Sequence, residues 1–117
     1  MIHALVGDTN KRRTVVAVVG DGCFLMCGME LATAVQEKLP IVVILINDRC
    51  LTLIKAIQQR RYESRFVGVD LVNPDFGMLA RAFGVRAWRV QDDAGFATAL
   101  REALDTGETA LIEVQLK

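Results

Sequence analysis

Cysteine occurs three times in the 117 residues, proline twice and histidine once. The three cysteines, Cys23, Cys27 and Cys50, cannot pair completely. A disulfide-stapled secreted scaffold is therefore excluded, and a reducing, cytoplasmic setting is the expectation. The one histidine, His3, stands at the terminus and reads as a solvent-facing or tag-like residue. A surplus of either charge is also missing: Lys+Arg and Asp+Glu both count 14, for a formal net charge of zero. A nucleic-acid module would carry a basic surplus, so no nucleic-acid partner is expected. No apolar run approaches the ~20 residues of a membrane span. The longest, Ile41 to Ile46, is strand-sized. The opening Met1-Ile2-His3-Ala4-Leu5 has neither the basic region nor the apolar stretch of a signal peptide. What the chain does have is apolar residues, at 52%, with 24% charged. That balance is above the usual ~45–50% apolar and argues against disorder. The length suits a single domain over residues 1–117.

Two β-branched runs set the architecture: Thr14-Val15-Val16-Ala17-Val18-Val19 and Ile41-Val42-Val43-Ile44-Leu45-Ile46. Neither alternates apolar with polar, which predicts strands buried on both faces of a parallel sheet. Between them, apolar positions 31, 34 and 35 recur at helical spacing within 28–38, and Lys38-Leu39-Pro40 supplies a stop. Residues 14–46 thus read as a right-handed βαβ unit. A helix follows over 51–62, then an irregular or short extended segment over 65–70. Asn73-Pro74-Asp75 predicts a helix start, with Asn73 as N-cap and Pro74 first in the helix. That helix turns Phe76, Leu79, Ala80 and Phe83 inward and ends at Gly84. A strand over 86–90, a helix over 94–104 and a strand over 109–116 complete the alternation. The expected fold is α/β, a three-layer parallel sheet with helices on both faces.

Chemistry is expected where the first two strands end. Gly20-Asp21-Gly22 follows the first run directly, and ligands of open parallel sheets bind beyond the carboxyl ends of strands. Flanking glycines let a phosphate or metal approach the backbone. Taken alone, Gly-Asp-Gly is read better as a strand-to-helix turn whose aspartate caps the next helix. The second strand ends in Asn47-Asp48-Arg49-Cys50, and Asp48 stands 27 positions after Asp21. Strand, helix and strand fill that interval, so both acids emerge at one sheet edge. Two hard oxygen donors there suit Mg²⁺, which completes its octahedron with water and ligand phosphate.

These residues resemble a known fingerprint. Gly20-Asp21-Gly22, the helix carrying Glu30-Leu31-Ala32-Thr33-Ala34, and Asn47-Asp48 are similar to the Gly-Asp-Gly…Asn-Asn pattern of thiamine-diphosphate enzymes. The flanks Val16-Ala17-Val18-Val19 and Leu39-Pro40-Ile41-Val42-Val43 resemble the acetolactate synthase, benzoylformate decarboxylase and benzaldehyde lyase group. Gly68-Val69-Asp70-Leu71-Val72-Asn73-Pro74-Asp75-Phe76 and Ala80-Arg81-Ala82-Phe83-Gly84 resemble its acetolactate-synthase-like branch. The resemblance implies thiamine diphosphate and Mg²⁺ as cofactors. Metal ligation falls on the side chains of Asp21 and Asp48 and the main-chain carbonyl of Cys50. Cofactor contacts fall on Gly20, Asp21, Gly22, Cys23, Asp48 and Leu53, with main-chain N–H groups of Gly22, Cys23 and Leu53 toward the diphosphate. Position 48 is Asp where the pattern has Asn, which still suits Mg²⁺ and adds negative charge beside a diphosphate. No residue of this chain is expected to break bonds itself.

Family enzymes are several times longer, and a separate pyrimidine-binding domain supplies the glutamate that activates the cofactor's ring. The resemblance therefore implies a partner domain or chain carrying that glutamate, and an incomplete diphosphate-binding fold lacking its N-terminal part. An uncovered sheet edge or face would promote self-association, so a homo-oligomer is expected. Two alternatives stand beside this reading: a non-catalytic α/β domain binding Mg²⁺ or phosphate through Asp21, and one subunit of a split thiamine-diphosphate enzyme. The i, i+4 pair Cys23 and Cys27 lacks the further soft ligands of a zinc site and is expected in the core. Arg60-Arg61-Tyr62 with Arg65 reads as a solvated helix end, Glu30 as structural or interfacial, and Trp88 as core or interface.

Overall fold

The computed structural model describes residues 13–116; His3 and the rest of the opening decapeptide lie outside them. Among the described residues four parallel strands form one sheet: β1 (Val15–Gly20), β2 (Ile41–Asn47), β3 (Arg86–Val90) and β4 (Ala110–Gln115). Their spatial order is β1-β2-β4-β3. Register is in step along the sheet, with Val15 opposite Ile41, Val42 opposite Ala110 and Arg86 opposite Ala110. All strands therefore end at the same edge, which carries Gly20, Asn47, Gln115 and Val90.

The described residues form five helices, α1 (Asp21–Cys27), α2 (Glu30–Gln36), α3 (Thr52–Arg61), α4 (Phe76–Ala82) and α5 (Asp93–Thr106), of which α1, α2, α4 and α5 bury residues against the sheet. One layer is a cluster of Phe24, Leu31, Ala34 and Phe76 against Val43, Leu45 and Leu111. Phe24 and Phe76 meet edge to face, ring centroids 5.5 Å apart, the geometry aromatic quadrupoles favour. The opposite layer packs Ala99 and Ala103 of α5 against Val42, Ala110 and Ile112. Alternate residues of β2 and β4 thus enter different layers, which is why these strands are apolar throughout. The three-layer α/β expectation is met.

Several local expectations are corrected. The β1 run is not buried on both faces: its residues alternate, and Val16 and Val18 are exposed. β1 pairs only with β2 among the described strands. The helix expected over 28–38 is preceded by a separate one, α1, which starts directly at Asp21. The two part at Gly28-Met29, where an added Cβ on Gly28 would come within 2.8 Å of the Phe24 carbonyl oxygen. Cys23 and Cys27 are exposed and not in the core, because the buried side of α1 is taken by Asp21 and Phe24. No residue of α3 is buried, and Leu53, Ile54 and Ile57 lie at the surface. The N-cap of α4 is Asp75, whose carboxylate accepts from the Met78 N–H at 2.8 Å. Asn73 and Pro74 lie before the helix, because the Asn73 side chain is spent elsewhere, as shown below.

The remaining elements agree. Gly84 ends the α4 turn in the left-handed region with φ 77°, and Asp92 caps α5 through the Gly95 N–H. Trp88 is half-buried, and its indole N–H donates to Glu102 at 2.8 Å. No helix among the described residues is long and apolar enough to cross a membrane.

Candidate functional site at the carboxyl edge of the sheet

Asp21 is the first residue after β1 and is almost completely buried, at 2% exposure. A buried carboxylate must be hydrogen-bonded to persist, and this one has three donors. Oδ1 accepts from the Gly22 N–H at 2.8 Å. Oδ2 accepts from the Arg49 N–H at 2.8 Å and from the Asn73 amide Nδ2 at 2.6 Å. Arg49 follows Asp48 in the turn out of β2, with φ 56°, and its N–H reaches the residue after β1. One hydrogen bond therefore joins the tips of β1 and β2. The expectation that Gly-Asp-Gly and Asn-Asp meet at one edge is met by this bond.

Asp48 turns its carboxylate toward the start of α3. Oδ1 accepts from the Cys50 N–H at 3.1 Å and Oδ2 from the Thr52 hydroxyl at 2.5 Å. Cys50 forms an isolated antiparallel bridge with Asp70. That bridge is held by the Leu51 N–H donating to Val69 at 2.7 Å and the Leu71 N–H donating to Arg49 at 2.8 Å. Among the described residues no backbone N–H outside regular helix and strand bonding donates to the Cys50 carbonyl. Leu53 is in the first turn of α3, whose N-cap Leu51 offers no side-chain cap. Its N–H is one of the donors that every helix start leaves without an intrahelical partner. Gly22 and Cys23 occupy the first turn of α1, where the Gly22 N–H is already given to Asp21 Oδ1. Gly22 is also tightly enclosed, since an added Cβ would come within 2.6 Å of Leu51. Gly20 has nothing within 4 Å of an added Cβ, so the backbone beside Asp21 faces open space.

Behind the acids lies a polar chain that sequence reasoning missed. Asn47, the last residue of β2, is buried and donates to Glu113 Oε1 at 2.7 Å. Glu113 is 1% exposed within β4. Its Oε2 accepts from Arg89 Nε at 2.8 Å, a pairing dictated by register, since Arg89 lies opposite Glu113. Arg89 also reaches Asp75 at 3.2 Å. The Glu113 hydrogen bond, with the charges of Glu113 and Asp75, raises the Arg89 guanidinium above its ordinary value. The Met78 N–H, and then Arg89, hold the Asp75 carboxyl below its usual range. Asn73 closes the chain by donating to Asn47 Oδ1 at 2.9 Å as well as to Asp21. A lone Glu inside the otherwise apolar run Ala110-Leu111-Ile112-Glu113-Val114 was the available signal for Glu113. Nothing in the sequence connected Asn73 to Asp21, 52 positions away.

The donor chemistry can be tested against a divalent cation. Asp21 and Asp48 are hard oxygen donors, and the Cys50 carbonyl is a third. Asn73 Oδ1 is buried without a hydrogen-bond partner, an orphaned acceptor at the same place. No group of three or more His, Cys, Asp or Glu side chains among the described residues could hold a metal. An all-protein cage of the zinc or calcium kind is therefore not what these residues build. Two carboxylates and a carbonyl fit Mg²⁺, which keeps water and phosphate oxygens in its shell. The exposed Cys23 and Cys27 are engaged locally, Cys27 Sγ donating to the Cys23 carbonyl at 3.2 Å.

A parallel α/β sheet with acidic and amide side chains gathered beyond its strand ends places this chain among domains that bind ligands at that edge. Residues 2–114 match the thiamine pyrophosphate enzyme, C-terminal TPP binding domain, and the chain belongs to that family. It is 39% identical over 100 residues to acetolactate synthase of Bacillus subtilis, covering 86% of this chain and 17% of that protein. It is 35% identical over 100 residues to mitochondrial acetolactate synthase of Schizosaccharomyces pombe, covering 86% of this chain and 15% of that protein. Among solved structures, a thiamine diphosphate-dependent 4-hydroxybenzoylformate decarboxylase from Rhodococcus jostii RHA1 superposes with a TM-score of 0.84 at 30% identity. That match covers 90% of this chain and 20% of the other. The chain thus spans a fifth or less of the length of these relatives.

Proposed function

We propose that this chain binds the diphosphate of thiamine diphosphate through Mg²⁺, as the diphosphate-binding domain of an acetolactate-synthase-like 2-oxo-acid decarboxylase or carboligase. The observation that carries the reading is the buried Asp21 carboxylate bonded to the N–H of the residue after Asp48. That bond brings to one edge the two acids that this family's pattern assigns to the metal. Asp21, Asp48 and the Cys50 carbonyl would hold the ion. The main-chain N–H groups of Cys23 and Leu53 would meet the diphosphate, and that of Gly22 on release from Asp21 Oδ1, with Gly20 leaving room for it. Helix starts favour anions through their free donors and dipole.

When bound, the cofactor supplies the electron sink for loss of CO₂ from a 2-oxo acid. This chain's own residues bind and orient, and none is assigned to bond breaking. A pyrimidine-binding domain or partner chain would supply the activating glutamate, and assembly into a homo-oligomer is part of the proposal. The exposed Val16 and Val18 on β1 give such assembly an apolar face.

Calorimetric titration of thiamine diphosphate with and without Mg²⁺ tests the reading. Binding should require Mg²⁺ and vanish in Asp21→Ala. Unchanged affinity in that variant would remove the site.

A further inference from the structure

Asn73 comes from the segment between α3 and α4, not from either strand tip. Its amide nitrogen donates at once to Asp21 Oδ2 at 2.6 Å and to Asn47 Oδ1 at 2.9 Å. The two acceptors belong to the ends of neighbouring strands, so a single planar group sets their separation. An amide has two N–H bonds fixed in one plane, and both are used. The other polar atom of the side chain, Oδ1, is buried and has no hydrogen-bond partner. Burying an acceptor unsatisfied is costly, and a bound water or ion is one of the groups that satisfies such an atom.

Pro74, directly after Asn73, restricts that residue's backbone to extended conformations. The peptide leading into α4 is thereby stiffened on one side, while Asp75 fixes the other as the α4 cap. Asn47 is anchored in turn by Glu113, and Glu113 by Arg89. Asn73 therefore joins Asp21 to a buried framework rather than to a mobile surface group.

We infer that Asn73 is a positioning residue of the cation site: its amide holds the Asp21 carboxylate from behind, and its free Oδ1 accepts from a cation-bound water. The inference rests on the Mg²⁺ reading above. Partners that orient metal ligands without necessarily touching the metal are typically worth ~10–100-fold in affinity.

The experiment titrates the 117-residue chain with Mn²⁺, reading free Mn²⁺ by electron paramagnetic resonance. Melting temperature is followed with and without Mg²⁺. Four proteins are compared: the parent, Asp21→Ala, Asn73→Ala and the near-isosteric Asn73→Asp, each checked for folding by circular dichroism. Asn73→Ala should weaken Mn²⁺ binding ~10–100-fold and shrink the Mg²⁺-induced rise in melting temperature. Asn73→Asp should lose at least as much, because it sets a second carboxylate against Asp21 Oδ2. A merely structural Asn73 would lower both melting curves equally and leave the Mn²⁺ affinity unchanged, which would overturn the inference while leaving the site intact. If Asp21→Ala binds Mn²⁺ as well as the parent, or the parent binds none, the Mg²⁺ reading itself falls and the role of Asn73 with it. Should Asn73→Ala fail to fold, Asn73→Asp alone decides, since it keeps the side chain's shape.

Discussion

Removing Arg89 should cost more than neutralising its partner Glu113, although both belong to one ion pair. The reason is their unequal burial. Glu113 is 1% exposed, whereas the Arg89 side chain is 44% exposed and has Asp75 as a second partner. Glu113→Gln keeps an amide oxygen for the Asn47 donor and leaves Arg89 half in water beside Asp75. That change should cost ~0.5–1.5 kcal/mol, the net scale of one lost hydrogen bond whose donor turns instead to water and Asp75. Arg89→Met instead strands a carboxylate in the protein interior. Breaking a fully buried pair this way costs ~3–5 kcal/mol. Water reaching the half-exposed Arg89 position reduces that figure, and ~2–3 kcal/mol is expected. The assay is urea unfolding at pH 7 followed by circular dichroism, with the midpoint and slope fitted for each variant.

If Glu113→Gln proves as costly as Arg89→Met, the assignment of Glu113 as a buried, Arg-compensated anion is wrong.

Other outcomes follow from single contacts. Cys50→Ala should leave Mg²⁺ binding nearly intact, because it keeps the carbonyl and the N–H given to Asp48. Cys50→Pro should impair binding by deleting that N–H and restricting Arg49; an equal loss in both variants, read by Mg²⁺ titration, would implicate the thiol. Phe76→Ala removes a fully buried ring packed edge to face on Phe24 and should cost ~3–5 kcal/mol in urea unfolding; a loss under 1 kcal/mol would contradict the packing described. The depressed Asp75 carboxyl stabilises the fold above the ordinary carboxylate range, and its contribution is lost as pH falls through its lowered folded value. Acid unfolding of Asp75→Asn should therefore begin from a lower plateau and show a shallower pH dependence than the parent. Gly107 caps α5 at φ 63° with open space around it, so Gly107→Ala should cost ~1 kcal/mol through backbone conformation alone, measured as a midpoint shift without a change in slope.

The composition and periodicity of the chain were enough to establish the parallel α/β layers. β2 and β4 are apolar throughout because both faces are covered, and that pattern is local and readable. The placement of Asp21 and Asp48 at one edge also followed from strand-helix-strand spacing, which leaves little freedom in where a parallel crossover delivers its ends. Tertiary structure alone decided which polar residues stand behind them. Asn73 looked like a helix cap because Asn-Pro-Asp satisfies the local rules for one. Asp75 serves that role equally well, which freed Asn73 for partners 52 and 26 positions away. The exposure of Cys23, Cys27, Val16 and Val18 was illegible for a related reason. Whether an apolar side chain is covered depends on which strand or helix lies across from it, and hydropathy carries no record of that neighbour. Glu113 shows both sides of this limit: its oddity within an apolar strand is visible in the sequence, but its partners Asn47 and Arg89 exist only once three strands are set in register.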